Sequence, residues 1–137
     1  MKILVAVDPS DSVHIAVAKA AEMAKKEGAE LSLLAVAENF QDMESIFGAE
    51  ASDRLRERAL KALGAAEAMA KAAGVKPKLL SEAGVSPEDI IVDVAEKGHF
   101  DLIVMGTRSK KGKTGLRMGS VASRVVAQAP CSVLVAR

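Results

Sequence analysis

Residues 101–120 read Asp-Leu-Ile-Val-Met-Gly-Thr-Arg-Ser-Lys-Lys-Gly-Lys-Thr-Gly-Leu-Arg-Met-Gly-Ser. The apolar run Asp101 to Met105 predicts a strand buried on both faces. Gly106 to Ser120 then holds four glycines, three lysines and two arginines, and a helix is expected from Ser120. A glycine-rich, basic loop between a strand end and a helix start has the composition of an anion site. Glycine lets backbone N–H groups approach a ligand, and the helix N-terminus offers unpaired N–H groups and a favourable dipole.

Outward from this loop the chain alternates strand and helix. Ile3 to Val7 is a buried strand followed by an acid, Asp8. Ser10 and Asp11 suit a helix start, Val13, Ala16, Val17, Ala20 and Ala24 recur at helical spacing, and Lys25, Lys26 and Gly28 close that helix. Leu31 to Ala37 is a second strand. Residues 38–52 read as a long connection, partly helical, in which Phe40, Met43, Ile46 and Phe47 serve packing or form a lid or partner surface. Leu55, Ala59, Ala62, Ala66, Met69 and Ala73 mark a long amphipathic helix closed by Lys71 and Gly74.

Lys78 to Ala83 is a weaker strand. Ser86-Pro87-Glu88-Asp89 predicts a helix start: an N-cap serine, proline in the first turn and two acids on the positive dipole end. Ile90, Ile91, Val94 and Ala95 form its buried stripe, and Gly98 ends it. Ala122, Val125, Val126 and Ala129 mark the last helix, terminated by Pro130, and Ser132 to Ala136 is the last strand. Strands separated by helices imply an α/β fold with a parallel sheet covered on both faces. No linker or low-complexity tract divides the 137 residues, so 1–137 is expected to be one domain. In such sheets ligands bind at the carboxyl ends of strands where the strand order reverses. Asp8 and the 106–119 loop share that crevice if the first and fourth strands are neighbours.

Composition narrows the function class. A net charge of +1 argues against a nucleic-acid-binding surface. No apolar run approaches the ~18 residues of a membrane span, and Met1 to Asp8 reads as a strand rather than a signal peptide. The single cysteine, Cys131, reads as a small apolar residue in a reducing cytoplasm. His14 and His99 stand apart from other ligand-type residues, so neither is expected to bind a metal. Gly112-Lys113-Thr114 imitates the end of G-x4-G-K-[ST]. The first glycine would fall at Thr107, and Gly115 and Gly119 do not suit a helix starting after the lysine, so that reading is set aside.

With these residues placed, the chain resembles the universal stress protein family over nearly its whole length. The family's nucleotide-binding members carry G-x2-G-x9-G-[ST] after the fourth strand. Gly106, Ser109, Gly119 and Ser120 stand at those positions. The flanking Asp101 to Gly106, Gly119-Ser120-Val121-Ala122 and Ala129-Pro130-Cys131 agree, as do the first strand and Asp8.

The resemblance implies a single open five-stranded parallel sheet of order 3-2-1-4-5, Rossmann-like and of the adenine nucleotide alpha-hydrolase type, with helices on both faces. It implies that the chain binds ATP with Mg²⁺ as a regulatory or stress-response module. Asp8, with Ala6 and Val7 before it, and backbone near Val36 would hold the adenosine. Gly106 would lie by the ribose, Ser109, Gly119, Ser120 and Val121 around the phosphates, and Met105 and Arg108 would also contact the nucleotide. It further implies a homodimer formed through Cys131 to Ala136. No general base stands out, so weak ATP hydrolysis is the most the sequence allows.

Ser109 departs from the family's glycine. Where that position requires positive φ, serine costs on the order of 1–2 kcal/mol, roughly tenfold in affinity or more. Where ordinary φ suffices, its hydroxyl can donate to a phosphate. The alternative reading is therefore a homodimeric interaction module that does not bind nucleotide.

Overall fold

The computed structural model describes residues 1–8, 13–38, 48–106 and 119–137. Five strands form one sheet: β1 (Lys2–Val7), β2 (Glu30–Glu38), β3 (Lys78–Gly84), β4 (Leu102–Gly106) and β5 (Ser132–Ala136). Their order is β3-β2-β1-β4-β5 and every pairing is parallel. Four helices are described: α1 (Val13–Glu27), α2 (Ala49–Ala72), α3 (Pro87–Lys97) and α4 (Ser120–Gln128).

The alternation of side chains along each strand builds two cores. Ile3, Val5, Leu33 and Val104 face α1 and α2, where Ala16, Ala20, Ala66 and Ala70 are buried and let the helices lie close to the sheet. Leu4, Leu34, Ile103 and Met105 face the opposite way and pack with Ile91 and Ala95 of α3 and Ala122 and Val125 of α4. The central strands are buried on both sides, which is why they read as continuous apolar runs. The edge strands differ. β5 keeps Val133, Leu134 and Val135 half-buried, and β3 leaves Leu79 exposed.

Several boundaries depart from expectation. β4 runs one residue later than expected at each end, and the backbone N–H of Asp101 just before it donates to the Lys2 carbonyl at 2.9 Å. The Asp101 carboxylate in turn accepts from the Lys2 backbone N–H at 2.7 Å. α2 begins at Ala49, so the last residues of the expected 38–52 connection are helical. Phe40, Met43, Ile46 and Phe47 lie outside the described residues, as do Ser10 and Asp11. Ile90 and Val94 are only half-buried and Val126 is exposed, since α3 and α4 each cover the sheet with a narrow stripe.

Gly98 ends α3 by space rather than by dihedral angle. Its φ is −85°, and His99 takes the left-handed conformation at φ 54°. A Cβ at position 98 would stand 2.5 Å from Cε2 of Phe100. The Lys2 ammonium covers the Phe100 ring, 4.7 Å from its centroid.

Candidate functional site

The strand order reverses at β1. The chain runs outward through β2 and β3 and then returns to place β4 on the other side of β1. That arrangement opens a crevice beyond the carboxyl ends of β1 and β4. A cavity of about 250 Å³ occupies it.

The cavity is built from strand ends and helix starts. Ala6, Val7 and Asp8 come from the end of β1, Val36, Ala37 and Glu38 from β2, and Met105 and Gly106 from β4. The register Val5↔Val104 sets β1 and β4 side by side. Gly119, Ser120, Val121 and Ala122 enter from the start of α4, and Pro87 and Ile91 from α3. Nine of the residues singled out in the sequence thus meet at one cavity: Ala6, Val7, Asp8, Val36, Met105, Gly106, Gly119, Ser120 and Val121. Arg108 and Ser109 lie outside the described residues, and so do the loop lysines Lys110, Lys111 and Lys113.

The N-terminus of α4 is chemically open. Gly119 precedes the helix with φ −61° and ψ 158°, and no side chain among the described residues caps it. The carbonyl of Gly119 accepts the first helical bond, from Ser123 N–H at 2.9 Å. The N–H groups of the first turn have no intrahelical acceptor, and no acid occupies that turn. Partial positive charge is therefore presented where an anion can use it.

The N-terminus of α3 carries acids of its own, Glu88 and Asp89. Ser86 is in the expected N-cap position with extended backbone, and Pro87 follows it. Contrary to the cap reading, its hydroxyl makes no hydrogen bond to the helix backbone. Glu88 and Asp89 place negative charge in this first turn. The backbone N–H of Glu88 holds its carboxyl below the usual carboxylate range, burial opposes this, and the Ser86 hydroxyl and Arg124 lower it further. The Arg124 guanidinium from α4 donates to Glu88 Oε1 at 3.0 Å.

Other wall residues were not expected at the site, although Val13, Leu55 and Ala59 were legible as apolar helix positions. Val13, Leu34, Leu55, Arg58 and Ala59 also line the cavity. Arg58 is its one cation among the described residues. The only trace of it in the sequence is its place next to Ala59 in the buried stripe of α2. Pro87 and Ile91 read as a helix start and a core residue, and nothing local revealed that they also bound a crevice.

The remaining sequence candidates play bland roles. Among the described residues no group of three His, Cys, Asp or Glu is placed to hold a metal ion. His14 is exposed, with Nδ1 3.1 Å from the Met69 sulfur. Cys131 is half-buried, and burial, with Asp101 nearby, pushes its thiol up, away from the thiolate that reactivity needs. Among the described residues no helix is long and apolar enough to cross a membrane.

The fold recurs in solved structures. UspA from Lactobacillus plantarum superimposes with a TM-score of 0.84 at 28% identity, covering 100% of this chain and 97% of that one. A universal stress protein from Archaeoglobus fulgidus in complex with dAMP gives 0.74 at 25% identity, covering 100% and 98%. Another universal stress protein, in complex with cAMP, gives 0.74 at 25% identity over 100% and 97%. In sequence, a universal stress protein of Methanocaldococcus jannaschii is 37% identical over 143 residues, 99% of this chain and 81% of that protein. The family model described as the universal stress protein family matches residues 1–137. A match along the entire sequence, together with the shared sheet order, means that the chain belongs to the universal stress protein family.

Proposed function

We propose that residues 1–137 form one universal stress protein domain that binds ATP at the β1/β4 crevice and acts as a cytoplasmic regulatory or stress-response module. One observation carries this reading: Asp8, Gly106 and the uncapped start of α4 at Gly119 and Ser120 border the same cavity. Its chemistry suits a nucleotide. Val36, Met105, Leu34 and Ile91 offer apolar surface to a base. The Asp8 carboxylate can accept from a hydroxyl or an amino group, and the α4 N–H groups can donate to phosphate oxygens.

The dAMP and cAMP complexes of the two similar proteins support an adenine nucleotide, and the three-phosphate form is the finer part of the proposal. With no protein metal cluster among the described residues, Mg²⁺ would be carried chiefly by the phosphates themselves.

The absence of Trp and Tyr supplies the first test. Retained adenine nucleotide should dominate the ultraviolet spectrum of the purified protein, with a peak at about 260 nm, because little protein absorbance competes. Calorimetric titration with ATP and Mg²⁺ follows, and no heat at about 1 mM ATP sinks the proposal.

Ser109 favours a second reading, a homodimeric module without nucleotide. A Ser109→Gly variant that binds ATP much more tightly than the parent would identify the serine as the defect, and equal binding would clear it. The dimer itself is part of both readings. Half-buried Val133, Leu134 and Val135 on edge strand β5 suit pairing through Cys131 to Ala136. Sedimentation should give a dimer, and a monomer at tens of micromolar would contradict this interface.

A further inference from the structure

The two helices that start at the cavity are tied to each other by one ion pair. Glu88 is the second residue of α3, directly after Pro87 on the cavity wall. It is 9% exposed, the only buried acid among the described residues. Its partner Arg124 lies on α4, one turn beyond Ser120 and on the same side of that helix. The link is short, at 3.0 Å, and it joins a fixed end to a free one. The Glu88 side chain is 12% exposed and the Arg124 side chain 61%.

We propose that the Glu88–Arg124 pair is a positioning device that fixes the start of α4 against α3 and so sets the aim of the α4 N–H groups at a phosphate. Neither residue lines the cavity, so neither touches the ligand. The physical need is precision. Donors that hold an anion act over a narrow range of distances, so a sub-ångström slide of α4 weakens several hydrogen bonds at once. Ala122 and Val125 hold α4 on the sheet by apolar packing, which is non-directional and permits sliding along the helix axis. A charged hydrogen bond to a buried carboxylate is directional and resists it. The first turn of α3 is suited to serve as the anchor, because Pro87 fixes its backbone and Glu88 is buried in it.

This inference rests on the crevice being the adenine-nucleotide site. The test is therefore calorimetry with two probes, AMP and adenosine, on the parent, Glu88→Gln, Arg124→Gln, the double variant and Arg124→Lys. Each single variant should weaken AMP roughly fivefold, as expected for disturbing an anion held at a helix end, and leave adenosine unchanged. The double variant should be no weaker than either single one, and Arg124→Lys should stay near the parent.

Three outcomes overturn the proposal. AMP affinity may be unchanged in the variants, AMP and adenosine may fall together, or the two single variants may shift AMP affinity in opposite directions, as a simple change of local charge would do. Should Glu88→Gln not fold, Arg124→Gln at its exposed position still decides. A parent protein that binds neither probe removes the nucleotide reading and this inference together. A parent that binds both, with variants that match it, removes only this inference.

Discussion

Two helix starts border the same crevice, and they treat their dipoles in opposite ways. α3 opens with Ser86-Pro87-Glu88-Asp89 and α4 with Gly119-Ser120-Val121-Ala122. In α3 two acids, Glu88 and Asp89, stand in the first turn, so negative charge of the helix's own already meets its positive end. In α4 no acid stands in the first turn and, among the described residues, no side chain caps it, so its positive end is offered to a ligand. Both helices pack on the same face of the sheet, and four residues in each decide which is structural and which is available. A helix N-terminus becomes an anion site only when its own sequence leaves it unoccupied.

The comparison can be broken most directly by giving α4 an acid of its own. Ser120→Asp should weaken AMP about a hundredfold, the penalty of a like charge a few ångströms from the phosphate in a partly shielded site. Adenosine affinity and the unfolding temperature should be close to those of the parent. Calorimetry with both ligands reads this, and unimpaired AMP binding would mean that α4 is not the phosphate end.

A smaller effect is expected at the far end of α3. Gly98→Ala forces a methyl against Phe100 and the Val94 carbonyl and should cost about 1–3 kcal/mol in a denaturant titration. Ligand affinity should stay unaltered, because the amino edge of the sheet is remote from the crevice.

The Glu88 carboxyl supplies a pH signature. Its folded value lies below its unfolded one. Its contribution is therefore complete above the ordinary carboxylate range and is lost as pH falls through the folded value. The stability difference between the parent and Glu88→Gln should be constant near neutrality, under about 1 kcal/mol for a pair with one exposed partner, and should shrink in acid. A difference that grows on acidification would contradict the cause assigned here. Smallest of all, Ser86→Ala should cost only a few tenths of a kcal/mol, less than the usual loss of a capping serine, because this hydroxyl makes no backbone cap. A loss of about 1 kcal/mol or more by thermal unfolding would restore the conventional cap.

Much of this was legible along the chain because it depends on local spacing. The continuous apolar runs of β1, β2 and β4 announced strands buried on both faces, and Gly28 and Gly74 marked helix ends where φ is indeed positive, at 66° and 86°. Gly98 was legible as an end but not for its reason, since the crowding by Phe100 exists only after the α3–β4 turn has folded. Ser86 shows the same limit. Serine before proline and two acids is a capping sequence, yet its hydroxyl makes no backbone cap, and Glu88 takes a partner, Arg124, that lies 36 residues further along the chain.

The sequence by itself determined which residues are strand, which are helix and which helix start lacks an acid, because these follow from neighbours a few positions apart. It also carried the motif Gly106, Gly119 and Ser120. The tertiary structure decided that Asp8, Val36, Pro87 and Arg58 share one cavity with them, and that Glu88 and Arg124 meet across 36 residues of chain. Those proximities arise from the reversal of strand order at β1. A parallel sheet gathers the ends of distant segments at one edge, and no local pattern in the chain records which ends will be neighbours.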